Sequence, residues 1–250
     1  MDYILLLLAG IVGLVAGLAS GFFGIGGGSI RIPLLNLIGF TLITSYGLNL
    51  ISLPVGTLIG AVSQKENIDS RLGLYMILGG SIGTILGTLI AFDIATSALL
   101  LAIVFVIVSI IGVIGMNLHN IIPAKSENLH PSFANLFTGT LMFNTLTGMR
   151  GGSEGSLFVP LLRSVNVDMR KAISTALFAA IFTSIVGASL YLTHLSILFI
   201  YGLVVLTGSA IGARIGSIFS LKTKPQWLER GLTVVIIVLA ILPLLKVLIS

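Results

Sequence analysis

Eight long apolar segments dominate this chain, and no other feature restricts its fold as strongly. Each contains roughly 20 residues, the length that an α-helix needs to cross the hydrocarbon core of a bilayer. Hydrophobic residues make up 56% of the sequence and charged residues 8%, far from the balance of a soluble domain. The sequence therefore predicts an all-α integral membrane protein with many passes through the cell (cytoplasmic) membrane. The segments are 3–23, 43–63, 72–92, 94–116, 132–149, 172–192, 195–219 and 228–249.

A glycine-rich motif follows the first apolar segment and returns once in the chain. Residues 24–35 read GIGGGSIRIPLL, and residues 151–162 read GGSEGSLFVPLL. The two prolines, Pro33 and Pro160, are 127 positions apart, and the same offset aligns a glycine and a serine in front of each. We therefore predict two duplicated halves. They comprise residues 1–118 and 132–250, joined by a linker loop at 119–131.

Each motif leads into an apolar stretch that is too short to cross a bilayer. Residues 29–40 and 156–163 provide at most 12 residues, and a helix of that length reaches about 18 Å, roughly half the membrane. The glycines also leave backbone N–H groups unpaired, and these must face protein or water because lipid cannot satisfy them. We therefore predict re-entrant hairpins at 3–40 and 132–165, each a long helix, a buried glycine tip and a half-helix. The alternative is a pair of flexible turns at the membrane surface.

Three transmembrane helices are predicted after each hairpin, namely the second to fourth and the sixth to eighth segments above. Lys and Arg accumulate on the cytoplasmic side of membranes. If both hairpins return to the face that they enter, nine basic residues fall on one side, and the two halves are inverted relative to each other. This inverted repeat is the favoured prediction, with both termini extracellular or periplasmic and residues 118–130 in the cytoplasm. The nine residues are Lys65, Arg71, Lys125, Arg163, Arg170, Lys171, Lys222, Lys224 and Arg230.

Hairpin tips that enter from opposite faces meet near the middle of the membrane and present two half-helix N-termini to one cavity. Unpaired N–H groups and the positive ends of the helix dipoles attract anions. Arg31 and Arg150 flank the tips, and a guanidinium is a planar, bidentate partner for an oxyanion. The sequence thus predicts a binding site for a small anion. Its residues are Gly26, Gly27, Gly28, Ser29, Arg31, Asn49, Arg150, Gly151, Gly152, Ser153, Glu154, Gly155, Ser156 and Thr175.

Several of these side chains have structural alternatives. Arg31 and Arg150 can extend to the membrane surface or pair with Glu154, and Glu154 can instead bind a proton for coupling. Ser29 and Ser156 stand where the half-helices begin, and capping is the commoner role of serine there. Polar residues at the starts of the next helices either complete the cavity or bond back to their own helix. They are Thr44, Ser45, Asn49, Ser174 and Thr175.

The sequence gives little support for a metal site, a nucleotide-binding site or a nucleic-acid surface. The chain has no cysteine, and its three histidines lie at segment ends without a carboxylate or second histidine at ligand spacing, so no metal site is predicted. The glycine motif at 24–29 fits neither nucleotide-binding template because no lysine follows it, and no cofactor is predicted. A net charge of +5 fits cytoplasmic loops better than a nucleic-acid surface.

The duplicated glycine-rich motifs ending in Pro-Leu-Leu, with eight long apolar segments in 250 residues, resemble the TauE/SafE family of sulfite exporters. The resemblance covers essentially the whole chain. It implies a transporter rather than an enzyme, with a substrate among sulfite, sulfonates and other small, mostly sulfur-containing organic anions. Arg31, Arg150 and Glu154 depart from the pattern as charged insertions. The functional positions that the resemblance implies are Gly24, Gly26, Gly27, Gly28, Pro33, Gly151, Gly152, Gly155 and Pro160.

Together, these observations predict a secondary transporter that exports a small organosulfur anion, such as sulfite, a sulfonate or a sulfocarboxylate, by alternating access. The expected partners are this anion and the lipid bilayer, with coupling to protons left as an open alternative; nucleic acid is not expected. An anion channel and an importer of a small organic anion are the alternatives. An intramembrane serine hydrolase using Ser153 or Ser156 is a remote alternative, because none of the histidines lies in a helix interior where it can act as the base.

Overall fold

The computed structural model describes residues 2–23, 27–121, 130–152, 155–194, 198–220 and 225–249. These residues form ten α-helices and one short 3₁₀ helix, Lys65–Asn67, and they contain no β-strand. The all-α prediction is therefore confirmed for the described part of the chain. The helices are α1 (Tyr3–Phe23), α2 (Gly28–Leu37), α3 (Leu42–Ser63), α4 (Ser70–Ile94), α5 (Ala98–Ile121), α6 (Phe133–Gly148), α7 (Gly155–Ser164), α8 (Met169–His194), α9 (Leu198–Ser220) and α10 (Pro225–Ile249).

Two short helices, α2 and α7, follow the glycine-rich motifs. Each has 10 residues and is therefore about 15 Å long, which is half of a hydrocarbon core. In both cases a residue with positive φ lies two positions after the last helical residue: Gly39 with φ 121° and Asn166 with φ 64°. The N–H of the next residue then donates to a carbonyl in the last turn of the helix. The sequence therefore located both short helices correctly.

Some helix ends differ from the predicted ones because caps, rather than hydropathy, determine them. The sequence placed a boundary between residues 92 and 94, but α4 continues to Ile94 and α5 begins at Ala98. Ser97 caps α5, since its hydroxyl accepts the N–H of Leu100 at 3.2 Å. Asp69 caps α4 in the same way and starts that helix before residue 72.

Within the described residues, five helices are long and apolar enough to cross a membrane by themselves. Two further apolar stretches are shorter, in α5 and α10, and α6 has only 16 residues. The chain is therefore a multi-pass membrane protein, whereas the full set of eight spans stays a prediction. The five candidate spans are Tyr3–Ser20, Leu42–Val62, Ser70–Ile94, Met169–His194 and Phe199–Gly216.

Helices from the two ends of the chain pack against each other in a reciprocal pattern. α1 lies along α9, and α6 lies along α4. α2 contacts α10, α7 contacts α5, and α3 packs on α8. Each of these pairs joins a helix that ends by residue 121 to one that begins at residue 133 or later. The buried apolar residues therefore form a core that the two parts of the chain share.

Glycines allow the closest of these contacts. A Cβ on Gly212 of α9 would lie 2.1 Å from the carbonyl oxygen of Leu14 in α1, and a Cβ on Gly83 of α4 would lie 2.3 Å from that of Leu141 in α6. Ser209 reinforces the first pair, because its hydroxyl donates to the carbonyl of Gly13 at 3.1 Å. Small residues that let helix backbones touch are typical of membrane helix pairs.

Replacing Gly212 with alanine is expected to force α1 and α9 apart. The new Cβ overlaps backbone atoms, which no side-chain rotation can relieve, so a loss of about 1–3 kcal/mol in stability is expected. Gly56→Ala in α3 is the control, because nothing lies within 4 Å of the Cβ that it adds. Thermal unfolding of the purified protein measures both variants, and equal midpoints would show that the α1–α9 contact tolerates a larger separation.

An ion pair and two hydrogen bonds connect the loop between α3 and α4 to the start of α8. Lys171 Nζ lies 2.8 Å from Asp69 Oδ2, and the Ser174 hydroxyl donates to the carbonyl of Asn67 at 2.7 Å. The backbone N–H of Asp69 donates to Thr175 Oγ1 at 3.0 Å. These contacts place the α3–α4 loop and the N-terminal end of α8 at the same end of the molecule.

Acidification is expected to weaken this contact through Asp69. Partial burial alone raises the pKa of the Asp69 carboxyl, but the hydrogen bond and charge of Lys171, with two backbone N–H donors, hold that pKa below its ordinary value of 3.8. A lowered pKa stabilises the fold fully above the unfolded-state pKa, and this stabilisation disappears as the pH falls through the folded-state pKa. Lys171→Ala should therefore lower the unfolding midpoint by more at neutral pH than at acidic pH, because protonation of Asp69 removes its attraction to Lys171.

The exposed neighbouring cation provides the control for this pH experiment. Arg170→Ala removes a positive charge of the same helix turn without touching the Lys171–Asp69 ion pair. Its unfolding midpoint should stay close to that of the wild type at both pH values. An effect of Lys171→Ala that is the same at both pH values would contradict the assignment to Asp69.

Candidate functional site

The first turn, at Gly27, brings the N-terminus of α2 into the protein interior. Gly27 has a left-handed φ of 59°, and no side-chain cap from the described residues satisfies the helix there. Gly28, Ser29 and Arg31 are all buried. The first N–H groups of α2 and the positive end of its dipole therefore lie inside the protein. Ser29 does not cap α2, because the residue before the helix is Gly27.

The second turn, residues 149–152, follows the end of α6. Gly151 and Gly152 both have left-handed backbone, with φ 76° and 75°. The N–H of Gly152 donates to the carbonyl of Thr147 at 2.8 Å and closes the turn. A Cβ on Gly151 would lie 2.5 Å from Tyr46 Cα. Both the backbone conformation and the close approach to Tyr46 therefore require glycine at position 151.

The two turns touch each other. A Cβ on Gly28 would lie 2.6 Å from the carbonyl oxygen of Gly152 and 2.8 Å from Asn49 Nδ2. Backbone from the first turn thus lies directly against backbone from the second. This contact argues against the alternative in which the turns lie apart at the membrane surface.

Arg31 places a cation at this contact. Its side chain is 3% exposed, its Nη2 lies beside Gly27, and its Nη1 donates to Asn49 Oδ1 at 2.6 Å. Its Nε has no hydrogen-bond partner among the described residues. No carboxylate in that part of the chain lies within the 4.0 Å of an ion pair with Arg31. The positive charge is therefore buried beside a neutral amide.

Arg150 brings a second buried cation from the other turn. Its side chain is 1% exposed, and its Nη1 donates to Ser109 Oγ at 2.9 Å and, more weakly, to Ser29 Oγ at 3.4 Å. Its guanidinium carbon lies 5.9 Å from the ring centre of Phe105, within the range of a cation–π interaction. Arg150 therefore connects the second turn to α5 and to the start of α2. The burial of both arginines contradicts the alternative in which they extend to the membrane surface.

Asn49 connects the same two turns from α3. It accepts the hydrogen bond of Arg31 described above, and its Nδ2 donates to the carbonyls of Gly151 and Gly152 at 2.8 and 2.9 Å. The Asn49 side chain is fully buried. Eight of the predicted site residues therefore lie together, and we call this group the junction. The junction comprises Gly27, Gly28, Ser29, Arg31, Asn49, Arg150, Gly151 and Gly152.

Other predicted site residues lie elsewhere or cannot be placed. Thr175 is not at the junction, because it holds the backbone of Asp69 at the α3–α4 loop. Gly155 and Ser156 begin α7, but the side chain of Ser156 lies outside the described part of the chain, as do the whole residues Gly26, Ser153 and Glu154. Whether either arginine pairs with Glu154 is thus beyond the described residues.

The hydroxyls that the sequence grouped with Asn49 bond to their own helix or cap, or, for Ser174 and Thr175, also to the α3–α4 loop. Ser45 Oγ donates to the carbonyl of Thr41, and Ser174 Oγ donates to that of Arg170. Thr44 contacts the hydroxyl of its own cap, Thr41. Asn49 reaches farther than these hydroxyls because its amide extends one atom beyond a hydroxyl. Among these five polar residues, Asn49 alone lies at the junction in the described structure.

Sequence reasoning missed three residues that support the junction. Ser109 accepts the Arg150 hydrogen bond, Phe105 lies under the same guanidinium, and Tyr46 packs on Gly151 and stacks on Phe105 at 6.2 Å. Ser109 stands alone in a long apolar run, and a polar residue inside a membrane helix usually faces protein. That signal could have identified Ser109. The two aromatic residues carry no such signal, because apolar segments contain many of them.

A small cavity lies on the other side of Ser109. It has a volume of about 60 Å³ and lies between α5 and α10, where seven aliphatic residues and Ser109 line it. Ser109 therefore stands between this cavity and Arg150. The residues that line this cavity carry no charge, whereas the two buried cations, Arg31 and Arg150, lie at the junction.

The fold and the junction define a class of protein. Several helices are long and apolar enough to cross a membrane, which defines a multi-pass membrane protein, and two buried cations lie where its two interrupted segments meet. The chain belongs to the TauE/SafE family, because the family model described as "Sulfite exporter TauE/SafE" matches residues 9–242. Members of this family are transporters and not enzymes, which removes the serine hydrolase alternative. No curated protein and no solved structure matches the chain at a significant level.

Proposed function

We propose that this protein is a secondary transporter that exports a small organosulfur anion, such as sulfite, a sulfonate or a sulfocarboxylate, and that the junction holds the anion. The observation that carries the proposal is Arg31, a buried guanidinium whose partner among the described residues is neutral. A charge at membrane depth is costly and is usually retained for function. The family description supports a sulfur-containing anion.

The chemistry of the junction suits an oxyanion. A guanidinium offers planar N–H donors that match two oxygens of a sulfite or sulfonate group. The N-terminus of α2, which no described side chain caps, adds backbone N–H groups and a positive dipole beside Arg31. Arg150 supplies a second cation from the other turn. A small anion would therefore find donors from both parts of the chain at one place.

The packing pattern supports two inverted halves, 1–118 and 132–250, that alternate around the junction. The pairs α1–α9 and α6–α4 correspond to each other, as do α2–α10 and α7–α5. The α3–α4 loop, with Lys65 and Arg71 beside it, lies at the same end as Lys171. The hairpin topology places those basic residues on one side, whereas surface turns would separate them. Inverted repeats with a site at the interface of broken helices are typical of secondary transporters.

Export needs no coupling in this scheme. The interior of a cell is negative, so an outward-moving anion gains about 2.3 kcal/mol per charge for each 100 mV of membrane potential. Import of the same anion would need a coupling ion. Glu154 is our candidate for proton binding if coupling occurs, and a proton gradient that changes the transport rate would support that role.

Proteoliposomes loaded with sulfite or methanesulfonate test the proposed function. Saturable efflux that increases with an inside-negative potential is the expected result. Single-channel currents would instead favour an anion channel, and uptake that depends on an imposed ion gradient would favour an importer. Failure of every tested sulfur anion to raise the unfolding temperature or to move across the membrane would overturn the proposal.

A further inference from the structure

Asn49 joins the two turns with opposite ends of one amide. Its Oδ1 accepts from Arg31 Nη1 at 2.6 Å, while its Nδ2 donates to the carbonyls of Gly151 and Gly152. An arginine can only donate hydrogen bonds and a carbonyl can only accept them, so these partners fix the orientation of the amide. Asn49 is also fully buried, so water does not replace any of the three contacts.

A carboxylate is the usual partner of a buried arginine, whereas the partner of Arg31 among the described residues is an amide. A carboxylate at that position would form an ion pair with Arg31 and neutralise the charge that an incoming anion needs. A neutral amide orients the guanidinium without cancelling its charge. Arg31 Nε has no partner in the described part of the chain, which leaves part of the same guanidinium available for another acceptor.

We infer that Asn49 is a positioning residue, which holds the Arg31 guanidinium against the second turn while leaving its positive charge available for the transported anion. This inference rests on the proposed function and deepens it. It assigns Asn49 a role through Arg31, whereas the sequence alone placed Asn49 among the residues that contact the substrate. Neutrality at position 49 thus becomes a requirement for anion binding.

Asn49→Asp tests the inference, with methanesulfonate as the probe because its charge is constant over the accessible pH range. We expect the variant to lose anion affinity by roughly tenfold or more, since the anion must then compete with a buried carboxylate. Asn49→Ala also removes the bridge but adds no charge, so its affinity loss should be smaller. Affinity comes from the dependence of the unfolding temperature on methanesulfonate concentration. Wild-type affinity in Asn49→Asp, or an equal loss in Asn49→Ala, would overturn the inference.

A second buried asparagine provides a matched control for folding. Asn144 is fully buried, and its Nδ2 donates to the carbonyl of Gly80 and to Thr84 Oγ1, with no cation in contact among the described residues. Asn144→Asp therefore buries a carboxylate that only the Thr147 hydroxyl contacts as a donor among the described side chains, with no cation beside it, and should lower the unfolding temperature strongly. Asn49→Asp should be destabilised less, because Arg31 pairs with the new carboxylate. Equal destabilisation of the two variants would show that Arg31 does not accept a counter-ion and would also overturn the inference.

These measurements separate the inference from the proposed function. If the wild type itself binds no sulfur anion, the proposed function fails, while the stability comparison of Asn49→Asp with Asn144→Asp still tests the arrangement at Arg31 without any ligand. If the wild type binds methanesulfonate and Asn49→Asp binds it equally well, only the role of Asn49 fails.

Discussion

Arg31→Ala is expected to abolish binding and transport of the anion while leaving the empty protein folded. The guanidinium is buried beside a neutral amide, so its removal eliminates the charge–anion interaction without leaving a described carboxylate unpaired. Loss of one partner of a buried charge pair costs about 2–5 kcal/mol, which corresponds to at least about a 30-fold loss of affinity. Ligand-induced stabilisation and proteoliposome efflux both measure this loss.

Two kinds of variant control this experiment. Arg71→Ala removes an exposed arginine that contacts Tyr75, and it should bind and transport like the wild type. Arg31→Lys keeps the charge but loses the planar donor geometry, and intermediate affinity is expected. Arg150→Ala should also reduce binding. Unchanged affinity in Arg31→Ala, Arg150→Ala and the double variant would remove both arginines from the site.

Gly151→Ala is expected to disrupt the junction. The residue has φ 76°, where an L side chain costs about 1–2 kcal/mol, and its Cβ would lie 2.5 Å from Tyr46 Cα. The second turn must therefore move away from α3, which breaks the hydrogen bonds from Asn49 to Gly151 and Gly152. Both the unfolding temperature and anion binding should fall.

Gly39→Ala separates backbone strain from loss of the junction. Gly39 also has a positive φ, of 121°, but nothing lies within 4 Å of an added Cβ, and the residue is exposed at the end of α2. We expect a lower unfolding temperature with anion affinity unchanged. If Gly151→Ala keeps full affinity, the contact between the second turn and α3 is not needed for binding.

The location of the helices was largely predictable. Each membrane helix pairs its backbone groups within itself, so the hydropathy of a segment is enough to identify it. The same reasoning located α2 and α7, since a stretch of about ten residues between a glycine cluster and a turn can only be half a span. The exact ends were less predictable. Asp69 and Ser97 cap α4 and α5 and so determine where these helices begin. A cap is a single polar side chain, and hydropathy averaged over a segment does not detect it.

The candidate site was only partly predictable. The sequence identified Arg31, Arg150 and the glycines because charges and helix-breaking residues are conspicuous in an apolar chain. It grouped Thr175 with Asn49 by matching positions in the two halves, yet Thr175 holds the α3–α4 loop. Corresponding positions in the two halves predict where a residue lies along its helix. They do not predict which residues of the neighbouring helix it contacts.

The sequence by itself determined that this chain is a membrane protein of TauE/SafE type, with two short helices behind glycine-rich turns, because hydropathy and backbone hydrogen bonding act within each segment. Only the tertiary structure decided which groups share the junction. Arg150 reaches Ser29 across 121 positions and Asn49 reaches Gly151 across 102. Such contacts depend on which helices pack together, and in lipid that choice comes from the detailed fit of small residues and buried polar groups.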